Sequence, residues 1–218
     1  MHRFESSTRR TIHGPGVARY LLVIAALVAV VLALVPTLRS SAEKSRLSRA
    51  GVDAQNLAHA LAAVREDTGQ WPFTMAGHPS EGRPVDRLVS SPAVPTRAGA
   101  AAGAGAANWG SFGASMQLGS VLRPDDRLQR TQEGRWLGPY TDSVETTDPW
   151  GNAYVVNVRY LPGGGYSGKT PHRVLVLSAG PDGVWQTSYR DDTTEAILGD
   201  DIGYEVPMPR ESGVLIPR

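Results

Sequence analysis

Residues 20–35 read YLLVIAALVAVVLALV, and none of the nineteen positions between Arg19 and Arg39 carries a charge. Nineteen helical residues at about 1.5 Å each reach about 28 Å, close to the ~30 Å hydrocarbon core of a bilayer. The stretch is therefore expected to be an uncleaved membrane anchor. The competing reading is a secretory signal. Ser40-Ser41-Ala42 is a faint small-residue cleavage site, and Thr8-Arg9-Arg10-Thr11-Ile12 a faint twin-arginine signal, but Arg39 beside the first argues against cleavage there. Arg3, Arg9, Arg10 and Arg19 on one flank face Arg39, Lys44, Arg46 and Arg49 on the other, so charge alone leaves the orientation open.

Working outward, Leu47, Ala50, Ala54, Leu57, Leu61 and Val64 recur at spacings of three and four, a narrow apolar stripe on a continuing helix. The helix should stop at Thr68-Gly69, where Gly supplies a left-handed cap and Pro72 prevents continuation. The small residues in the stripe allow two partners, the chain's own sheet or sister subunits, and spacing favours the sheet.

The 218 residues allow one domain with appendages and exclude a large catalytic scaffold. A formal net charge of +1 offers no basic field for nucleic acid. The absence of cysteine excludes disulfides, thiolate metal sites and a cysteine nucleophile. Residues 75–119 include SSPAVP, AGAAAGAGAA and GSFGAS, a composition expected to form a long connection without a core of its own. Ala153 to Leu161 and Arg173 to Leu177 are β-branched and aromatic runs that should pair as an antiparallel hairpin. Between them, Gly163 to Thr170 matches the phosphate-binding pattern G-x-x-x-x-G-K-[ST]. Pro171 and a strand-like run follow where a nucleotide site needs a helix, so a hairpin loop is expected and no nucleotide.

The final loop holds Asp182, Asp191, Asp192, Glu195, Asp200 and Asp201 against Arg190 alone. Hard cations take six to eight oxygens, which suits such a loop. Asp182, after the Ala179-Gly180-Pro181 turn, and the pair Asp200-Asp201 are the most suggestive members. A solvated acidic loop is the competing reading. No EF-hand pattern is present, and the five histidines stand singly, which disfavours zinc. No histidine or nucleophile near the carboxylates suggests acid–base catalysis.

In order along the chain come Asp67-Thr68-Gly69-Gln70-Trp71-Pro72, Gly138-Pro139-Tyr140 and Asp148-Pro149-Trp150-Gly151-Asn152-Ala153-Tyr154. Leu177-Ser178-Ala179-Gly180-Pro181-Asp182-Gly183 and Gly199-Asp200-Asp201-Ile202-Gly203 complete the series. With these motifs the chain resembles the pseudopilins of bacterial type II secretion, and the major pseudopilin most closely. The resemblance covers residues 20–71 loosely and 136–204 well. It implies an α+β, type IV pilin-like fold: a long N-terminal transmembrane and amphipathic helix, then a small antiparallel sheet with an acidic calcium-type loop. It also implies calcium held by Asp182, Asp200 and Asp201, with the Ala179 carbonyl as a backbone ligand. One motif departs from the family. Aligned on Pro36, the peptidase site places Pro15 after Gly14 and Arg19 where a Glu would stand, which should resist processing and removes the acidic docking partner.

The resulting expectation is a tail (1–16), a membrane-spanning and extended helix (17–72), a connection (73–119), a β-rich head (120–206) and a C-terminal tail (207–218). The chain is expected in the bacterial inner membrane as a single-pass protein, N-terminus cytoplasmic and head periplasmic. Its expected partners are the lipid bilayer, other pseudopilin subunits and inner-membrane secretion components, and its expected role is structural, without catalysis. The alternative is a membrane-tethered binding module or small hydrolase built on the same head.

Overall fold

A helix can end without a side-chain clash where a glycine takes the left-handed conformation, and Gly69 does so at φ 74°. In the computed structural model of the chain, helix α1 (Pro15–Thr68) stops there. The Gly69 amide donates to the Arg65 carbonyl at 2.9 Å. The Thr68 hydroxyl donates to the Val64 carbonyl at 2.6 Å and accepts the Gln70 amide at 3.2 Å. The described residues are 15–71, 85–99, 109–123, 136–142, 146–164, 166, 172–189 and 196–208. Within α1, side chains are described at 19–30 and from 40 onward.

The chain divides into two units, residues 1–45 and 46–218. In the first, the described side chains of α1 from Tyr20 to Val30 are exposed, Tyr20 by 75% and Leu22 by 70%. Among the described residues no helix is long and apolar enough to cross a membrane. This corrects the expectation of a single-pass inner-membrane protein with a periplasmic head.

In the second unit, strands β1 (Arg87–Val89), β3 (Ser115–Gln117), β4 (Val155–Val156), β5 (Leu175–Ser178) and β7 (Ile202–Glu205) form one sheet in the order β3-β1-β4-β5-β7. The register aligns Leu88, Val156, Val176 and Tyr204 in one row across four strands, and Val89, Val155, Leu177 and Gly203 in the next. Because side chains alternate between faces, these rows pack on opposite sides. The first joins Ala54, Leu57, Ala58, Leu61 and Val64 of α1, so the small-residue stripe packs on the chain's own sheet. The second is covered by Trp109, Trp185 and Tyr189. Short strands β2 (Arg97–Ala98) and β6 (Val184–Trp185) pair in a two-stranded sheet of their own.

The pilin-like expectation fails at the sheet as well as at the apolar helix. The class is α+β, but the main sheet is mixed and not antiparallel, since β1 pairs in parallel with β3, and the separate β2–β6 pair is parallel too. The expected hairpin survives as an antiparallel β4–β5 pair of two residues each. Asn157 cuts it short. Its Oδ1 accepts the Leu175 amide at 2.7 Å and its Nδ2 donates to the Arg173 carbonyl at 3.0 Å, so a side chain stands in for the ladder. The backbone then turns into a 3₁₀ segment, Val158–Tyr160.

The segment expected to be a mere connection supplies β1, β2, β3 and Trp109, which is fully buried. The Trp109 indole N–H donates to the Thr187 carbonyl at 2.9 Å, tying the segment to the far end of the chain. Its Ala/Gly run at 100–108 lies outside the described residues. So do Lys169 and Thr170 of the phosphate-loop pattern, Gly14 of the peptidase pattern, and Asp191, Asp192 and Glu195.

Candidate functional site

Strand β5 ends at Ser178, and the chain reverses through Ala179-Gly180 with Gly180 at φ 64°. A second reversal, with Gly199 at φ 65°, precedes β7. The two turns touch backbone to backbone: a Cβ at Gly180 would stand 2.1 Å from the Asp200 carbonyl oxygen. Only glycine allows that approach, and it brings Asp182 and the pair Asp200-Asp201 to one place.

The first turn is braced from the Asp148 loop. The Asp148 carboxylate accepts the Trp150 amide at 2.9 Å and the Asn152 amide at 2.8 Å, and the Ser178 hydroxyl donates to it as well. Asn152 Nδ2 donates to the Gly180 carbonyl at 2.8 Å, while the Gly180 amide donates to the Ser178 hydroxyl at 3.0 Å. Every oxygen of the buried Asp148 carboxylate thus has a donor, as a buried charge requires.

The acidic residues of the last loop are treated differently. Asp182 is exposed, and its carboxylate accepts the Val184 amide at 2.8 Å and the Gln186 side-chain amide at 2.8 Å. Asp200 Oδ2 accepts the Asp182 amide at 3.3 Å. Asp201 is 7% exposed, and its Oδ2 accepts the amides of Gln186 at 3.0 Å and Thr187 at 2.6 Å. Burial pushes the Asp201 carboxyl up to about 6, against the Thr187 amide and hydroxyl and the Gln186 amide and with help from the Asp200 charge. Asp200 Oδ1, Asp201 Oδ1 and Gln186 Oε1 are buried without a hydrogen-bond donor.

The structure therefore brings Asp182, Asp200 and Asp201 to adjoining turns, but not into a cage of three carboxylates. Among the described residues no three His, Cys, Asp or Glu side chains form a group able to hold a metal ion. Ala179 lies fully buried directly after β5 and packs with Trp185 and Leu177. The donors present are oxygens, which suit a hard cation and not zinc or copper. Sequence reasoning missed Asn152, which anchors the Gly180 carbonyl, and Gln186 and Thr187, which engage Asp182 and Asp201. The acidic composition drew attention to the carboxylates, while a lone Gln or Asn carries no spacing signal.

Comparison of the chain with protein-family models, curated proteins and solved structures returns no match.

Proposed function

We propose that the chain is a structural, non-enzymatic subunit or accessory of a type II secretion or related pilus-like apparatus. In this reading its apolar helix is covered by sister copies, and a calcium ion closes its last loop. The observation that carries the proposal is the exposed helix surface. Tyr20, Leu21, Leu22, Val23 and Ile24 are each more than half exposed. At 3.6 residues per turn, five successive residues circle the helix, so the apolar surface has no polar side to turn toward water. Exposed apolar area of this kind marks an interaction surface.

The motifs of the pseudopilin resemblance add support, because Asp148, Asn152, Ser178 and Gly180 form one hydrogen-bonded unit under the acidic loop. The loop also fits the ion: Asp200 and Asp201 each keep a buried oxygen without a donor. Bound there, calcium supplies positive charge that offsets the two carboxylates. Asp200 and Asp201 hold it, the Ala179 carbonyl is the backbone ligand the resemblance implies, and Asn152 and Ser178 fix the turn beneath it.

Because the native chain has no cysteine, a single introduced thiol reports on one position. Leu27→Cys in the full chain should give cross-linked dimers and higher ladders with a short bifunctional maleimide. Leu137→Cys, also on an exposed residue, should give far fewer. A chain that stays monomeric with Leu27→Cys contradicts assembly through the helix and favours a binding module instead.

A further inference from the structure

We infer that Gln186 supplies a ligand oxygen to the calcium-type cation of the last loop, beside Asp200 and Asp201, with its amide oriented by the Asp182 carboxylate. This rests on the ion reading above and changes the ligand set that the acidic residues alone suggest. The Gln186 Nε2 donates to Asp182 Oδ2 at 2.8 Å. An ionised carboxylate only accepts, so the NH2 group must face Asp182 and the amide oxygen must face away from it. That oxygen is buried and has no donor.

Its surroundings explain where it points. The Gln186 side chain lies against Gly199, where a Cβ would come within 2.7 Å of its Cγ and Cδ. The Gln186 amide donates to Asp201 Oδ2 at 3.0 Å, and Asp200 Oδ2 accepts the Asp182 amide at 3.3 Å. Gln186 is thus held between the Asp182 turn and the Gly199-Asp200-Asp201 turn. Among the described residues the buried side-chain oxygens without a donor are Gln186 Oε1, Asp200 Oδ1 and Asp201 Oδ1. Two belong to the Gly199-Asp200-Asp201 turn and the third to Gln186, which packs against that turn, and Asp201 is itself 7% exposed.

A buried acceptor without a donor is unfavourable, and a buried carboxylate more so. A water molecule has two protons for three acceptors and leaves both negative charges in place. A hard divalent cation satisfies the three oxygens together, and carboxamide oxygens are ordinary calcium ligands that share a shell with carboxylates, carbonyls and water. Asp182 Oδ1 accepts the Val184 amide and Oδ2 the Gln186 side-chain amide, the bond that fixes which way the Gln186 amide faces. Asp182 is a positioning residue.

The test uses the full chain and terbium as the probe ion, with Trp185 beside Gln186 as the sensitising indole and calcium as the competitor. The parent should bind terbium and release it to calcium. Gln186→Leu should weaken both affinities by about 10-fold or more. Its thermal midpoint in chelator should match or exceed that of the parent, because the unsatisfied acceptor is gone. A Gln186 that only stabilises the fold gives the opposite pattern, a lower midpoint in chelator and an unchanged affinity, and overturns the inference. Gln186→Glu, close in shape, keeps the test usable if Gln186→Leu does not fold: tighter binding supports the inference, and equal or weaker binding overturns it. The two readings fail separately. If the parent binds neither ion, the calcium reading and this inference both fall. If the parent binds and the Asp200→Asn, Asp201→Asn double variant does not, while Gln186→Leu binds as the parent does, only the role of Gln186 falls.

Discussion

At Asp201 burial and charge are set directly against each other. Its carboxyl is raised to about 6 by burial, above the ordinary 3.8. A raised carboxyl means the folded chain prefers the proton. The stability this gives is fully present below about 4 and is lost as pH rises through about 6. Near neutral pH the ion-free chain therefore carries a penalty of roughly 3 kcal/mol at this residue, the free-energy equivalent of about two pH units. Asp201→Asn should raise the denaturation midpoint in chelator near pH 7 and flatten its decline between roughly pH 4 and pH 6. Added calcium should reverse the order, leaving the parent more stable than the variant. Parallel pH profiles for parent and variant in chelator would show that the buried charge is not the cause. The three aspartates were legible in the sequence because acidic composition is itself a signal. Gln186 was not: its significance comes from a carboxylate four positions before it and a glycine thirteen positions after it, a relation that only the folded turns create.

The elements show which local signals survive folding. The stop of α1 was readable from Gly69, since φ 74° is a property of the residue and needs no distant partner. The sheet was not. Its parallel pairs join residues far apart in sequence, such as Arg87 with Ser115 and Arg97 with Val184. The low-complexity run around 100–108 obscured the three-residue strands on either side of it. Asn157 reads as part of one strand-like run from Ala153 to Leu161, whereas its side chain completes the hydrogen bonds of the strand end. Two glycines separate backbone conformation from close approach. Gly151 at φ 91° has nothing within 4 Å of an added Cβ, while Gly180 at φ 64° has the Asp200 carbonyl oxygen at 2.1 Å. Gly151→Ala should cost about 1 kcal/mol, the strain of a left-handed alanine alone. Gly180→Ala should cost about 3 kcal/mol or more, because the two turns must part. Urea denaturation of both variants checks this, and equal losses would contradict the contact between the turns.

At the scale of the whole molecule, a sheet with two buried faces is combined with an apolar helix surface that the described chain leaves uncovered. One face of the sheet is covered by α1 and the other by Trp109, Trp185 and Tyr189. Length and hydropathy favoured a membrane span for residues 20–35. Among the described residues no helix is long and apolar enough to cross a membrane, and the side chains from Tyr20 to Val30 are exposed. The net charge of +1 is consistent with a surface that meets its own kind without strong repulsion. The account depends most on an ion that ties β5 to β7 at the end of the sheet. Its most direct test is the thermal midpoint of the full chain in calcium and in chelator. Calcium at about a hundred times its dissociation constant adds about 2.7 kcal/mol, which should raise the midpoint by roughly 5–10 °C for a chain of this size. A midpoint that is the same in calcium and in chelator would contradict the account.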